Sequence, residues 1–331
     1  MLKKGLMAVF LLFLLSIYGG KNLFQHQVEK QLKINQVEML TIKPGMSFSH
    51  FSKLLEQKGW LDNRFWIRNY VRFYPRFAQL KAGTYQVLPN TSILALVEKI
   101  NQGKEHQYQL TFIEGSTFKE WLALLSAQPT IKQTLSGLSV SEIAAQLAIN
   151  ESNPEGLFFP DTYAYTANES DLNILKRAHF RMKQVLAENW QKRQADLPYQ
   201  NSYQALIMAS IIEKESGVLA EQAVISAVFV NRLRKKMRLQ TDPTVIYGLG
   251  ERYQGDIKYR HLREKTPYNT YRINGLPPTP IAMPGLKAIE AAMQPANSEY
   301  LYFVSNGNGE HIFSKNLTDH NKAVRQYQLR K

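Results

Sequence analysis

The 331-residue chain contains no cysteine. That removes disulfide bridges, thiolate metal ligands, a cysteine nucleophile and a lipid-modified N-terminal cysteine from consideration. It also lacks a His-Glu-x-x-His motif, a Walker loop, a dinucleotide-binding glycine pattern and a Gly-x-Ser-x-Gly elbow. Its seven histidines are scattered without ligand spacing, so neither a metal site nor a cofactor is expected. A chelator should therefore leave the rate of any reaction unchanged, and activity lost to chelation and restored by zinc or magnesium would contradict this. Acidic residues are few: 27 Asp and Glu stand against 41 Lys and Arg, a formal net charge of +14. Such an excess favours a polyanion, whether nucleic acid, anionic membrane or a carboxylate-bearing wall polymer. With 44% hydrophobic residues and no long low-complexity stretch, the chain can bury real cores, and its length suits two globular units.

The first residues narrow the choice of partner. Lys3 and Lys4 precede sixteen uncharged residues, Gly5 to Gly20, and Lys21 closes the run. The run is short for a bilayer at about 1.5 Å per residue, but its lysines can snorkel and Leu23 and Phe24 extend it. A cleavable signal peptide is the competing reading. No Ala-x-Ala-like site follows Tyr18, so residues 1–24 read as an uncleaved anchor. Lys3, Lys4 and the terminal amine outweigh Lys21, which places the N-terminus in the cytoplasm. The expected location is the cell inner membrane, single-pass, with the body in the periplasm, where nucleic acid is not the partner.

Beyond the anchor, the pattern is that of an α+β protein. Residues 21–37 read as a polar spacer. Three strand–turn–helix units follow, at Glu38–Lys58, Tyr85–Lys104 and Thr111–Gln128, each with a Ser or Thr where a helix cap belongs: Ser47, Thr91 and Ser116. Residues 25–109 are assigned to a spacer and small α/β module, and residues 110–331 to a larger mixed helical and β domain. In the latter, Leu172–Asn189, Tyr203–Glu215, Glu221–Lys236 and Gly285–Gln294 have helical patterns. Long loops are expected at Gly156–Tyr165 and Leu239–Pro284, and a β-hairpin at Tyr300–Phe313.

One segment carries the signature of chemistry. Ala205–Glu215 is an apolar helical stretch that ends in two carboxylates, Glu213 and Glu215. At about 100° per residue the two point roughly 200° apart and cannot share one cleft. Glu215 falls on the stripe of Met208, Ile211 and Ile212, whereas Glu213 falls over the more mixed Leu206, Ala209 and Ser210. Apolar walls disfavour the charged form and raise a carboxyl's pKa, as a general acid near neutral pH requires. A solvated helix end would account for both glutamates equally well, and the residues alone leave this open.

Several motifs together resemble the endolytic murein transglycosylase (MltG/YceG-like) family. They are Ala209-Ser-Ile-Ile-Glu-Lys-Glu-Ser216, Val230-Asn-Arg-Leu233 and the block from Met237 to Gly248. Tyr268-Asn-Thr-Tyr271, Gly275-Leu-Pro-Pro278, Ile281–Pro284 and Tyr300–Val304 continue in the family's order. Lys81–Tyr85 and Gly156–Asp161 match upstream. The resemblance covers nearly the whole chain and assigns the catalytic acid/base to Glu215. It implies non-hydrolytic cleavage of the β-1,4 bond between N-acetylmuramic acid and N-acetylglucosamine within a peptidoglycan strand, leaving a 1,6-anhydro end. It also implies a LysM-like module after the anchor, and glycan strands as substrate. Anchoring near nascent strands motivates a partnership with peptidoglycan polymerases such as penicillin-binding proteins. Gln240, Thr241, Asp242, Asn269 and Tyr271 are candidates to orient the sugar, each also explicable as a cap or turn residue. Asp161 is a further candidate, Glu213 is assigned to structure, and Tyr163, Tyr165 and Tyr247 could stack on sugar faces. The alternative is a non-catalytic peptidoglycan-binding scaffold.

Overall fold

The computed structural model describes residues 18–328. Most of the expected anchor lies outside the described residues. Among these, no helix is long and apolar enough to cross a membrane. The class is α+β, with helices accompanied by two-stranded sheets. The chain divides into two compact units.

One unit holds the described residues up to Tyr108 together with Ala164–Asn168. Residues 18–29 are helical (α1), followed by β1 (Glu38–Ile42), α2 (Phe48–Gln57), α3 (Phe65–Phe73), β2 (Gly83–Val87) and α4 (Ile93–Gln102). The two strands pair antiparallel, Glu38 opposite Val87 and Ile42 opposite Gly83. Leu40, Ile42, Tyr85 and Val87 join Phe51, Leu55, Leu96 and Ile100 in one buried cluster. Ser47 caps α2 by accepting from the His50 N–H, and Ser92 caps α4 by accepting from the Ala95 N–H. The second cap thus lies one residue beyond the expected Thr91. Gly103, at φ +72°, ends α4 in the left-handed conformation that glycine adopts without strain.

The other unit holds Gln109–Tyr163 and the described residues from Glu169 onward. The chain enters it through β3 (Tyr108–Thr111), then forms α5 (Phe118–Ser126), α6 (Val140–Gln146), β4 (Thr162–Tyr165), α7 (Asp171–Gln191) and α8 (Ser202–Glu215). Next come α9 (Gln222–Arg234), α10 (Asp242–Leu249), α11 (Tyr259–Arg263), α12 (Leu286–Met293), the hairpin β5 (Tyr302–Ser305) and β6 (His311–Ser314), and α13 (Leu317–Tyr327). At its centre α8 is buried on every side from Ala205 to Ile212 and packs against α7, α9, α10 and α12.

Three expectations need correction. The cap of α5 is Thr117, which forms a reciprocal box with Glu120, while Ser116 accepts the Trp121 indole N–H at 2.7 Å. The stretch from Leu239 to Pro284 is not one long loop, because α10 and α11 form within it. Pro243 sits in the first turn of α10, where its missing N–H costs nothing. Likewise, the end of the expected loop Gly156–Tyr165 is strand β4.

Candidate active site

Glu215 is the last residue of α8 and lines a cavity of about 540 Å³. Other walls come from Phe229 and Arg232 of α9, the segment Leu239–Asp242, Tyr271, the β5–β6 hairpin and α13. The chain reaches this point through a chain of hydroxyls. The Thr241 hydroxyl donates to Glu215 Oε1. Behind it, the Thr241 N–H donates to Thr270 Oγ1 at 3.0 Å, and the Thr244 hydroxyl donates to the Thr241 carbonyl at 2.7 Å. Gln240 turns the chain into this position with φ +54°, unusual for a residue with a side chain. It too lines the cavity, as do Asp242 and Tyr271, whose hydroxyl donates to Asp242 Oδ1 at 2.7 Å.

The electrostatics follow from this packing. Burial pushes the Glu215 carboxyl up to about 7, and Asp242 adds to the rise, while the Thr241 hydrogen bond, His311 and Arg232 oppose it. The carboxyl therefore holds its proton close to neutrality and can still release it, which suits a group that gives and takes back a proton. Burial and the Asp242 contact also hold the Tyr271 hydroxyl above its ordinary value, so it stays protonated and keeps donating. Thr241→Val removes the bond that favours the charged form. The alkaline limb of the pH–rate profile should then move above that of the unsubstituted protein, and a downward move would contradict this geometry.

Not every expected residue reaches the cavity. Asn269 is 1% exposed, and its amide donates to the carbonyls of His261, Leu262 and Glu264 while its oxygen accepts from the Tyr271 N–H. It folds the loop that delivers Tyr271. Asp161 is exposed and accepts from the Thr162 N–H at 2.7 Å, away from the cavity wall. Glu213 Oε2 accepts from the Gly285 N–H at 3.0 Å, at the start of α12; burial, with Glu114 nearby, raises its carboxyl. Tyr163 donates to the Phe159 carbonyl, Tyr165 stacks on Tyr108, and Tyr247 donates to the buried Glu155.

Other residues complete the site. Arg232, only 8% exposed, donates to the carbonyls of Leu301 at 2.7 Å, Leu239 at 2.8 Å and Arg238 at 3.2 Å. It thereby ties the segment that carries Thr241 to the approach of the hairpin. His311 is gripped twice by Glu221, which accepts from its backbone N–H at 2.9 Å and meets Nδ1 at 2.7 Å. A charge in the apolar stretch Ile225–Leu233 was a legible signal for Arg232, since burying one is costly without partners. His311 and His320 offered no comparable signal. Among the described residues, no group of three or more His, Asp or Glu side chains is placed to hold a metal ion.

Comparison with known proteins adds an independent line. A model of the YceG-like family matches residues 40–326. An endolytic murein transglycosylase of Bacillus subtilis (strain 168) is 31% identical over 325 residues, which cover 93% of this chain and 89% of that protein. Another, from Streptococcus pneumoniae serotype 2, is 26% identical over 98% of this chain, which spans 65% of that longer protein. The crystal structure of a YceG-like protein from Listeria monocytogenes aligns with a TM-score of 0.55 at 32% identity, covering 87% of this chain and 99% of that one.

Proposed function

The chain belongs to the YceG-like family, and on that premise we propose that it is an endolytic lytic transglycosylase of peptidoglycan with Glu215 as acid/base. The observation that carries this reading is the Glu215 carboxyl, raised to about 7, at the wall of a cavity of about 540 Å³. In its acid form Glu215 protonates the glycosidic oxygen between N-acetylmuramic acid and N-acetylglucosamine as the bond to C1 breaks. The resulting carboxylate then takes the proton from the muramyl 6-hydroxyl, whose oxygen closes onto C1 as a 1,6-anhydro ring. No water is consumed. Thr241 fixes one oxygen of Glu215 and leaves the other for proton transfer; Gln240, Asp242 and Tyr271 present polar groups to the sugar.

Asp242 favours a second reading. It is another carboxyl on the same cavity, and most glycosidases use two to hydrolyse the bond. Mass spectrometry of products from purified glycan strands separates the two. Anhydro ends are expected, lighter than reducing ends by one water, and reducing ends would establish hydrolysis. No cleavage at all would favour a peptidoglycan-binding scaffold.

The Gly5–Gly20 run supports an inner-membrane anchor with a periplasmic body, which confines cutting to strands emerging beside their polymerases and limits glycan elongation there. The order β1-α2-α3-β2, with its strands antiparallel, supports a LysM-like glycan-binding role for residues 25–109. A reporter fused after Lys331 reads the topology.

A further inference from the structure

Helix α3 turns Ile67 and Val71 into the core of its unit. On an α-helix the opposite side is then occupied by Phe65, Asn69 and Phe73, with Arg68 and Arg72 along its edge. A helix facing water would carry polar residues there. Instead Phe65 is 55% exposed and Phe73 is 72% exposed, and Tyr74 follows at 43%. The helix contains no acidic residue. Arginine recurs at every fourth position, Arg64, Arg68, Arg72 and Arg76. Arg64 is spent on Glu56 at 3.5 Å, and Arg76 lies over the Phe77 ring at 4.7 Å. Among the described residues, the guanidinium groups of Arg68 and Arg72 make no ion pair or hydrogen bond. The surface extends onto α1, where Phe24 lies between Trp66 at 5.8 Å, Tyr70 at 6.1 Å and Phe73 at 6.1 Å. Leu23 of α1 is also exposed.

Exposed rings of this size forfeit their transfer free energy unless something covers them. Aromatic rings interleaved with arginines on one convex helix face are the composition of helices that lie in a membrane interface: the rings enter the headgroup layer and the guanidinium groups pair with lipid phosphates. Position argues the same way, because α1 runs directly on from the apolar Gly5–Gly20 segment. We propose that α3 and the adjoining turn of α1 form a second membrane contact, docking this unit flat on an anionic lipid surface. The inference rests on the surface chemistry of the described unit and holds whether or not the preceding run spans the bilayer.

Because the chain has no cysteine, a single introduced thiol labels one position. The full-length protein carrying Asn69→Cys, with an environment-sensitive fluorophore, is mixed with vesicles containing a lipid-borne quencher. The vesicles are phosphatidylcholine alone or phosphatidylcholine with phosphatidylglycerol. Asn308→Cys, on the exposed hairpin turn, is the reference. Co-flotation with phosphatidylcholine reads the anchor; the difference at position 69 reads α3. Quenching at 69 but not at 308 is expected in anionic vesicles, and it should weaken with added salt. The combined Arg68→Gln, Arg72→Gln and Arg76→Gln variant should weaken that contact by about 10²-fold. Phe65→Ser with Phe73→Ser should reduce quenching while leaving the thermal melt unchanged. Equal quenching in both vesicles, or quenching indifferent to the three arginines, would overturn the proposal. So would a lipid-free response to protein concentration, which assigns the face to a second copy, or an equal response to an acidic polymer.

Discussion

Glu215→Gln is expected to lower glycan cleavage by a factor of about 10² to 10⁴ while the protein stays folded. The amide matches the carboxyl in size and can accept the Thr241 hydroxyl bond at Oε1. What it loses is the proton that a group poised at about 7 can give to the leaving oxygen and recover from the 6-hydroxyl. Stability should not fall, since an amide is cheaper than a carboxylate to hold in a site whose burial already disfavours charge. Glu213→Gln gives the contrast. Its carboxyl receives the Gly285 N–H at the start of α12 and takes no part in the cavity wall. Any loss there should appear as a lower melting temperature with much of the cleavage retained. Glycan digestion and thermal melts on both variants decide the matter. Glu213→Gln folded but dead, beside an active Glu215→Gln, would reverse the assignment.

The largest stability effect is expected at Arg232. Arg232→Met preserves the apolar stem but leaves three carbonyls, those of Leu301, Leu239 and Arg238, without their shared donor. Unsatisfied buried acceptors cost about 1–3 kcal/mol apiece, so the total should be on the order of 3–5 kcal/mol after relaxation. For a unit of this size that lowers the melting temperature by roughly 10 °C. Cleavage should fall too, because the segment that delivers Thr241 to Glu215 loses its tie. Arg232→Lys should recover only part of both losses, since one ammonium cannot span the three acceptors as a planar guanidinium does. A melt indistinguishable from that of the unsubstituted protein would show that other contacts hold the segment.

How much of this was legible in the sequence depends on the range of the signal. Strand–turn–helix periodicity and the two carboxylates ending an apolar helix are local, and both were visible. The angular argument singled out Glu215, the glutamate found on the cavity, but its premise was incomplete. Glu213 also sits against buried residues, because α8 is enclosed all round rather than on one stripe. What separates the two is which tertiary neighbours meet each tip, and periodicity does not encode that. Asp242-Pro243 reads equally as a turn or as a first helical turn, and only the packing of α10 on α8 decides. Asn269 reads in the sequence either as a candidate sugar contact or as a turn residue, and its side-chain hydrogen bonds all go to backbone groups. His311 and His320 come from a hairpin and helix whose register against the cavity is set by long-range contacts, so their place could not be seen in advance.

That wall of the cavity has a consequence for the protein's own birth. Helix α8 leaves the ribosome well before β5, β6 and α13, and at about 5–20 residues per second the interval amounts to several seconds. During it, Glu215 emerges without His311, Tyr302 or His320 opposite it. A chain interrupted before residue 302 would carry the acid but only part of its enclosure. The wall contributed by β5, β6 and α13 is therefore the last part of the cavity to be completed as the chain is made.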